Sequence, residues 1–278
     1  MRWIDLILNL VGLAFWLSWR ASRHPVKTLG AGTLVSNLKP VETPATARWL
    51  NPVCLVVLLF GRPLIYGQLA RWTESSAAWN PGPVTVAFRD DIPGRLTFFS
   101  LLSFVWALLV WQAGVTLFSR LARLADRAAN LRWFQELGAL PARWPLGVVL
   151  LVPTLAASGL WAVLGSPFAS RGLIPALHGA SGLGIQSVLI GISVWMPSRW
   201  LIAGLLLVRF VHDYVYLGDH PVWSWVRLAT SPLIRPLSFL PVRIGRLDFT
   251  AVLVATLVIA AGVGLDVMIR QFFLVTTG

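Results

Sequence analysis

Long apolar stretches separated by shorter polar and basic segments make up this chain. Six runs approach the length that a hydrocarbon core demands, about 20 residues each: 3–19, 51–70, 97–118, 145–165, 199–217 and 249–269. They predict an all-α integral membrane protein with six transmembrane helices. The first run resembles a secretory leader in length. Trp19-Arg20, Arg23 and Lys27 follow it where a small-residue cleavage site belongs, so it reads as a retained helix. A further apolar run, 182–195, is too short to span and is closed by Pro197; it reads as an outer interfacial or re-entrant helix. In 119–137, Leu121, Leu124, Ala128, Leu131 and Phe134 recur at helical spacing, with Arg120, Arg123, Asp126 and Arg127 between them. That pattern predicts an amphipathic helix on the inner leaflet, and a partner-binding helix would carry the same pattern.

The runs also repeat. Outer helix starts read Arg2-Trp3, Arg95-Leu96 and Arg199-Trp200; inner starts read Arg48-Trp49, Arg143-Trp144 and Arg246-Leu247. Outer-to-inner spacings of 46, 48 and 47 residues suggest one helical hairpin used three times. The expected organisation is hairpin unit 1 over 1–70, an outer loop over 71–94 and hairpin unit 2 over 95–165. An outer loop bearing the short helix over 166–198 and hairpin unit 3 over 199–278 complete it. Units with an even number of spans repeat in parallel, about an axis along the membrane normal.

Composition agrees with the pattern. Only 12% of the 278 residues are charged, against about 25% in a soluble domain, and 15 tryptophans suit membrane–water boundaries. Cys54 is the sole cysteine, which excludes an internal disulfide and a cysteine-built metal site. The net charge of +12 is concentrated in loops 20–50, 119–144 and 218–248. Positive-inside reasoning places those loops in the cytoplasm, against anionic lipid, and both termini outside. Charges spread over three separate loops do not make a nucleic-acid surface, and no nucleic-acid partner is expected.

The third basic linker carries a motif. Thr230-Ser231-Pro232-Leu233-Ile234-Arg235-Pro236-Leu237 is followed by Leu240-Pro241, Gly245-Arg246 and Leu247-Asp248-Phe249-Thr250, with Asp219-His220-Pro221 upstream. This resembles the signature of the YggT family over about 200–270, and faintly over 34–60. Ser231 stands where that family usually has Glu, and Thr250-Ala251 where it has Ser-Pro. The resemblance implies an enlarged bacterial inner-membrane relative without enzymatic activity, tied to osmotic tolerance or to nucleoid or division-site organisation. In physical terms, Pro232 and Pro236 predict extended backbone between short turns. Asp248 is placed to cap the last helix, and Arg235, Arg243 and Arg246 to meet lipid phosphate.

Ionisable residues at membrane depth are costly and mark candidate sites. Arg209 lies ten residues after the expected outer start at Arg199, about 15 Å deep at 1.5 Å per residue. Asp213 is one turn on, with His212 beside it. Asp5, Arg62 and Asp266 are further intramembrane charges that could form a second ionic cluster. His212 is the one histidine inside a run, so bis-imidazole haem ligation is not expected, nor is a metal. No phosphate loop, dinucleotide fingerprint or nucleophile elbow occurs. The expected activity is that of a scaffold, assembly factor or accessory subunit with a membrane-protein partner or a second copy. The alternative is an ion or small-osmolyte path through Arg209 and Asp213.

Overall fold

The computed structural model describes residues 2–23, 45–73, 77–88, 93–125, 144–171, 173, 179–215, 221–237, 239, 242–244 and 247–277. Its long helices are α1 (Arg2–Arg23), α2 (Ala45–Thr73), α3 (Pro93–Ala125), α4 (Leu146–Ser170) and α8 (Thr250–Thr277). Shorter ones are α5 (Gly179–Ser193), α6 (Ser198–Tyr214) and α7 (Pro221–Ile234), the last followed by a 3₁₀ turn at Arg235–Leu237. Strands β1 (Ala77–Trp79) and β2 (Val86–Phe88) form one small sheet, and β3 (Arg243–Ile244) pairs antiparallel with β4 (Leu247–Asp248) in another.

Among the described residues, five helices are long and apolar enough to cross a membrane. They are Trp49–Leu69, Gly94–Leu121, Leu146–Ser170, Ser181–Tyr214 and Thr250–Leu274. This is the make-up of a multi-pass membrane protein. Four of them coincide with the expected runs 51–70, 97–118, 145–165 and 249–269.

The fourth, Ser181–Tyr214, differs from expectation, because it joins the short segment 182–195 to the run 199–217. Pro197 does not end the apolar run: α5 stops at Ser193, and Pro197 stands at the N-cap of α6. It has helical dihedrals, φ −64° and ψ −22°, and the bonding around it tightens from i→i−4 to i→i−3. Trp195 N–H donates to the Ile192 carbonyl at 3.1 Å, Met196 N–H to Ser193 at 3.0 Å and Ser198 N–H to Trp195 at 3.0 Å. The expected start at Arg199 matches the start of α6 at Ser198, and the turn over 194–197 joins α5 to α6 within one candidate span, Ser181–Tyr214.

The run 3–19 forms α1 but is not among the five. Asp5, Asn9 and Arg20 lower its hydropathy. The expected amphipathic helix over 119–137 continues α3 as far as Ala125, and 126–143 lie outside the described residues.

The chain divides into two compact units, residues 1–78 with 87–107, and residues 79–86 with 108–278. In the first, α1 and α2 pack together and the first part of α3 joins them. Leu13, Leu59, Phe99 and Phe104 are buried there. Tyr66 meets Phe99 edge-on at 5.2 Å. The outer face of α1 is apolar and exposed at Trp3, Leu6, Ile7 and Leu10, which leaves its polar residues for the inside.

In the second unit α5 lies lengthwise along α4. A Cβ on Gly165 would come 2.8 Å from Leu183, and one on Gly191 would come 2.1 Å from Ser158 Oγ and 2.6 Å from the Thr154 carbonyl. These contacts fix an antiparallel register. Residues 79–86, expected as outer loop, are built into this unit. Trp79, Val84 and Val86 are buried; Trp79 packs on Trp161 at 6.2 Å and Phe168 at 6.3 Å; and Ser193 Oγ donates to the Pro81 carbonyl at 3.0 Å. Gly82, at φ +86°, turns the chain where a side chain would collide with Ser193.

Helix α6 runs antiparallel to α8. Ala203 and Leu206 pack with Val254 and Ala255, Phe210 stacks near Phe249 at 5.4 Å, and Arg199 Nη1 donates to the Gly262 carbonyl at 2.6 Å. The tight α4–α5 seam predicts a graded outcome. Gly191→Ala should cost about 1–3 kcal/mol by overpacking. Gly159→Ala, with nothing within 4 Å of its would-be Cβ, should be neutral or slightly stabilising. Thermal unfolding of the two purified variants in detergent checks this.

Candidate functional site

Two polar clusters stand out, one in each unit. The first to consider joins the end of α6 to α7. Pro221 opens α7, where its missing N–H costs nothing. Pro232 lies inside this helix rather than in extended chain, contrary to the expectation from sequence, and its missing N–H deprives the Leu228 carbonyl of a donor. The Ser231 hydroxyl supplies the replacement, donating to that carbonyl at 3.0 Å. The Thr-Ser-Pro run thus sustains a helix.

Helix α7 is pinned to α6 by side chains. Arg209 Nη1 donates to Thr230 Oγ1 at 3.0 Å and to the Arg227 carbonyl at 3.3 Å. Asp213 sits between two guanidinium groups, with Arg209 Nε at 3.5 Å from Oδ2 and Arg227 Nε at 3.6 Å from Oδ1. Arg227 also reaches His212 Nδ1 at 3.3 Å, and the His212 ring packs on Trp223 at 5.2 Å. Beneath them Phe118 meets Trp225 edge-on at 6.1 Å. Two cations on one carboxylate leave one positive charge in excess.

The α6–α8 register places this cluster at the end of a span, not at mid-depth. Arg209 lies past Leu206, which packs at Val254, and just before Phe210, which meets Phe249; α8 begins at Thr250. Tyr214 continues the seam, its hydroxyl accepting the Asp248 N–H. Asp248 Oδ1 accepts the Thr250 N–H at 3.0 Å and the Thr250 hydroxyl, opening α8. Arg235 and Pro236 form the exposed 3₁₀ turn after α7, with Phe239 exposed beyond it. The side chains of Pro241, Gly245 and Arg246 lie outside the described residues.

The second cluster is buried in the unit of α1, α2 and early α3. Asp5 and Arg62 both belong to it, bridged by a residue that sequence reasoning passed over. Asn9 Nδ2 donates to Asp5 Oδ2 at 3.2 Å, and Asn9 Oδ1 accepts from Arg62 Nη1 at 2.8 Å. Tyr66 Oη donates to Asp5 Oδ1 at 2.7 Å and Ser103 Oγ to Asp5 Oδ2 at 2.7 Å. Arg62 Nη2 donates to the Leu8 carbonyl, and its guanidinium lies 5.8 Å from the Phe104 ring.

Arg62 and Tyr66 are completely buried. Room for the guanidinium comes from Gly12, whose would-be Cβ faces Arg62 Nη2 at 3.4 Å and collides with Phe104. The signal for Asn9, Tyr66 and Ser103 is present in the sequence as spacing. Asp5 and Asn9 share one face of α1, and Arg62 and Tyr66 share one face of α2, each pair four residues apart. Asp266, grouped with Asp5 and Arg62 at the sequence level, pairs with Arg270 on its own helix at 3.5 Å.

Neither cluster has the form of a metal site; among the described residues no three His, Cys, Asp or Glu side chains converge. No protein-family model, curated protein or solved structure matches the chain. Burial separates the two clusters energetically. Asn9→Leu strips a fully buried cation of a partner and should cost about 3 kcal/mol. Asp213→Asn, at a carboxylate 39% exposed, should cost under about 1 kcal/mol. Denaturation midpoints of the two variants, compared in one detergent, decide between these magnitudes.

Proposed function

We propose that this chain is a non-enzymatic, multi-spanning scaffold or accessory subunit of a membrane complex in the bacterial cytoplasmic membrane, of the YggT type. The observation that carries the reading is the set of elements described between Arg209 and Thr250. Its short helix, 3₁₀ turn and strand pair are tied to the span ends through Thr230, Asp213, Tyr214 and Asp248. A linker needed only for connection requires none of these ties, whereas a docking platform requires a fixed shape. Its exposed residues include Arg227, Arg235 and Phe239, a basic and aromatic surface suited to a membrane-protein partner near anionic lipid.

In this reading α1 is a sixth span. Its 22 residues reach about 33 Å at 1.5 Å per residue. Its polar residues Asp5 and Asn9 bond inward while its exposed face is apolar. The helix–linker–helix pairs α1/α2 and α6/α8 are two of the three proposed hairpins, and both termini lie outside. An ion path through Arg209 and Asp213 has less support, since both are engaged at the end of a span.

Orientation is tested by labelling. In a Cys54→Ala background, Ser36→Cys, Asn130→Cys and Ser224→Cys should resist an impermeant maleimide added to intact cells, and Gly278→Cys should react. The reverse pattern removes the proposed topology. Extraction from the native host in mild detergent, followed by native mass spectrometry, should show a stoichiometric membrane-protein partner. That partner should be lost when 230–248 is replaced by a Gly/Ser linker of equal length. A lone chain carrying only lipid overturns the scaffold reading.

A further inference from the structure

We propose that Arg199 is the intramembrane docking point for a partner transmembrane helix that carries a carboxylate at mid-depth. The inference deepens the subunit reading by stating what chemistry the partner brings.

Arg199 donates Nη1–H to the Gly262 carbonyl at 2.6 Å, and Gly262 lies twelve residues from each end of the span Thr250–Leu274. The guanidinium is thus held about 18 Å from either end of that helix at 1.5 Å per residue. An arginine side chain extends roughly 6–7 Å and cannot reach the headgroups from there, so snorkelling does not relieve it. The contact is built: Gly262 has no side chain because the Arg199 Cδ occupies the place, 2.5 Å from a would-be Cβ. A carbonyl and the neighbouring Trp200 ring at 5.6 Å are its interactions. Nε is buried without a hydrogen-bond partner.

Among the described residues no carboxylate lies within 4.0 Å of Arg199. Asp266 is one turn along α8 from Gly262 but pairs with Arg270. Asp266 carries one negative charge against two positive ones, on Arg199 and Arg270. A second copy would bring the same excess and double it, so self-association does not neutralise the site. A partner carboxylate does. Arg199 is itself half-buried, at the rim of the α6–α8 seam, among exposed Trp200, Leu201, Val263 and Val267. That apolar surround accepts a helix, and the low dielectric there strengthens the ion pair.

The test uses the full chain, donor-labelled, in phosphatidylcholine vesicles. The probes are acceptor-labelled leucine–alanine transmembrane peptides with a single central Glu or Gln. Energy transfer should report about tenfold tighter association of the Glu peptide. Arg199→Gln should remove that preference, and Arg199→Lys should keep most of it; an unchanged thermal transition confirms that each variant folds. Equal binding of the two peptides to the unmodified chain overturns the inference, as does a Glu preference that survives in Arg199→Gln. Donor–acceptor transfer between copies of the chain that the Glu peptide does not compete away also overturns it, in favour of a homo-oligomer. If the native partner is retained while any of these results holds, the docking point fails and the subunit reading stands.

Discussion

A polar group withdrawn from water must find its partner inside the protein, and in an apolar phase that requirement tightens because no solvent can substitute. It governs both units of this chain. In the first, the carboxylate of Asp5 and the guanidinium of Arg62 are joined by Asn9, which donates to one and accepts from the other. Tyr66 and Ser103 complete the carboxylate's shell. Helix α1 owes its inward polar stripe and outward apolar face to this arrangement. In the second unit the same requirement acts on the backbone, where Ser231 replaces the donor lost at Pro232 and Tyr214 takes the N–H of Asp248.

Much of the architecture was legible because hydrophobic length is a strong signal. The helices around 51–70, 97–118, 145–165 and 249–269 appear where uncharged runs predict them. Pro197 misled because a proline normally ends a helix, yet its fixed φ is also helical and only one N–H is lost. Here i→i−3 bonds lead the chain through a turn at 194–197 from α5 into α6, so the apolar run continues past the proline. That single continuation moves Arg209 from mid-depth to the end of a span and moves Arg199 inward. Residues 79–86 read as loop because they are short and rich in Pro and Gly, while their burial depends on Trp161 and Ser193, distant in sequence.

The candidate sites were legible in part. Asp5, Arg62, Arg209 and Asp213 stand out as charges in unusual places and Asp248 as a helix cap, and each has a specific partner. Asn9, Tyr66 and Ser103 were passed over because neutral polar side chains are common in apolar helices. Only the meeting of three helices converts them into a set. Arg199 was passed over for a different reason: an Arg-Trp pair after a proline looks like a membrane-surface anchor, and depth cannot be assigned before the register with α8 is known.

That register has a consequence for chain length. Arg199 and Tyr214 tie α6 at both ends, to Gly262 and to Asp248 respectively. Fifteen residues on one side are thus matched to fourteen on the other, like two rulers fixed together. Inserting or deleting one residue between the ties would turn the intervening side chains by about 100° and detach one end. A change in length is therefore borne more easily by the linkers than by the α6–α8 pair, whose count the two ties hold.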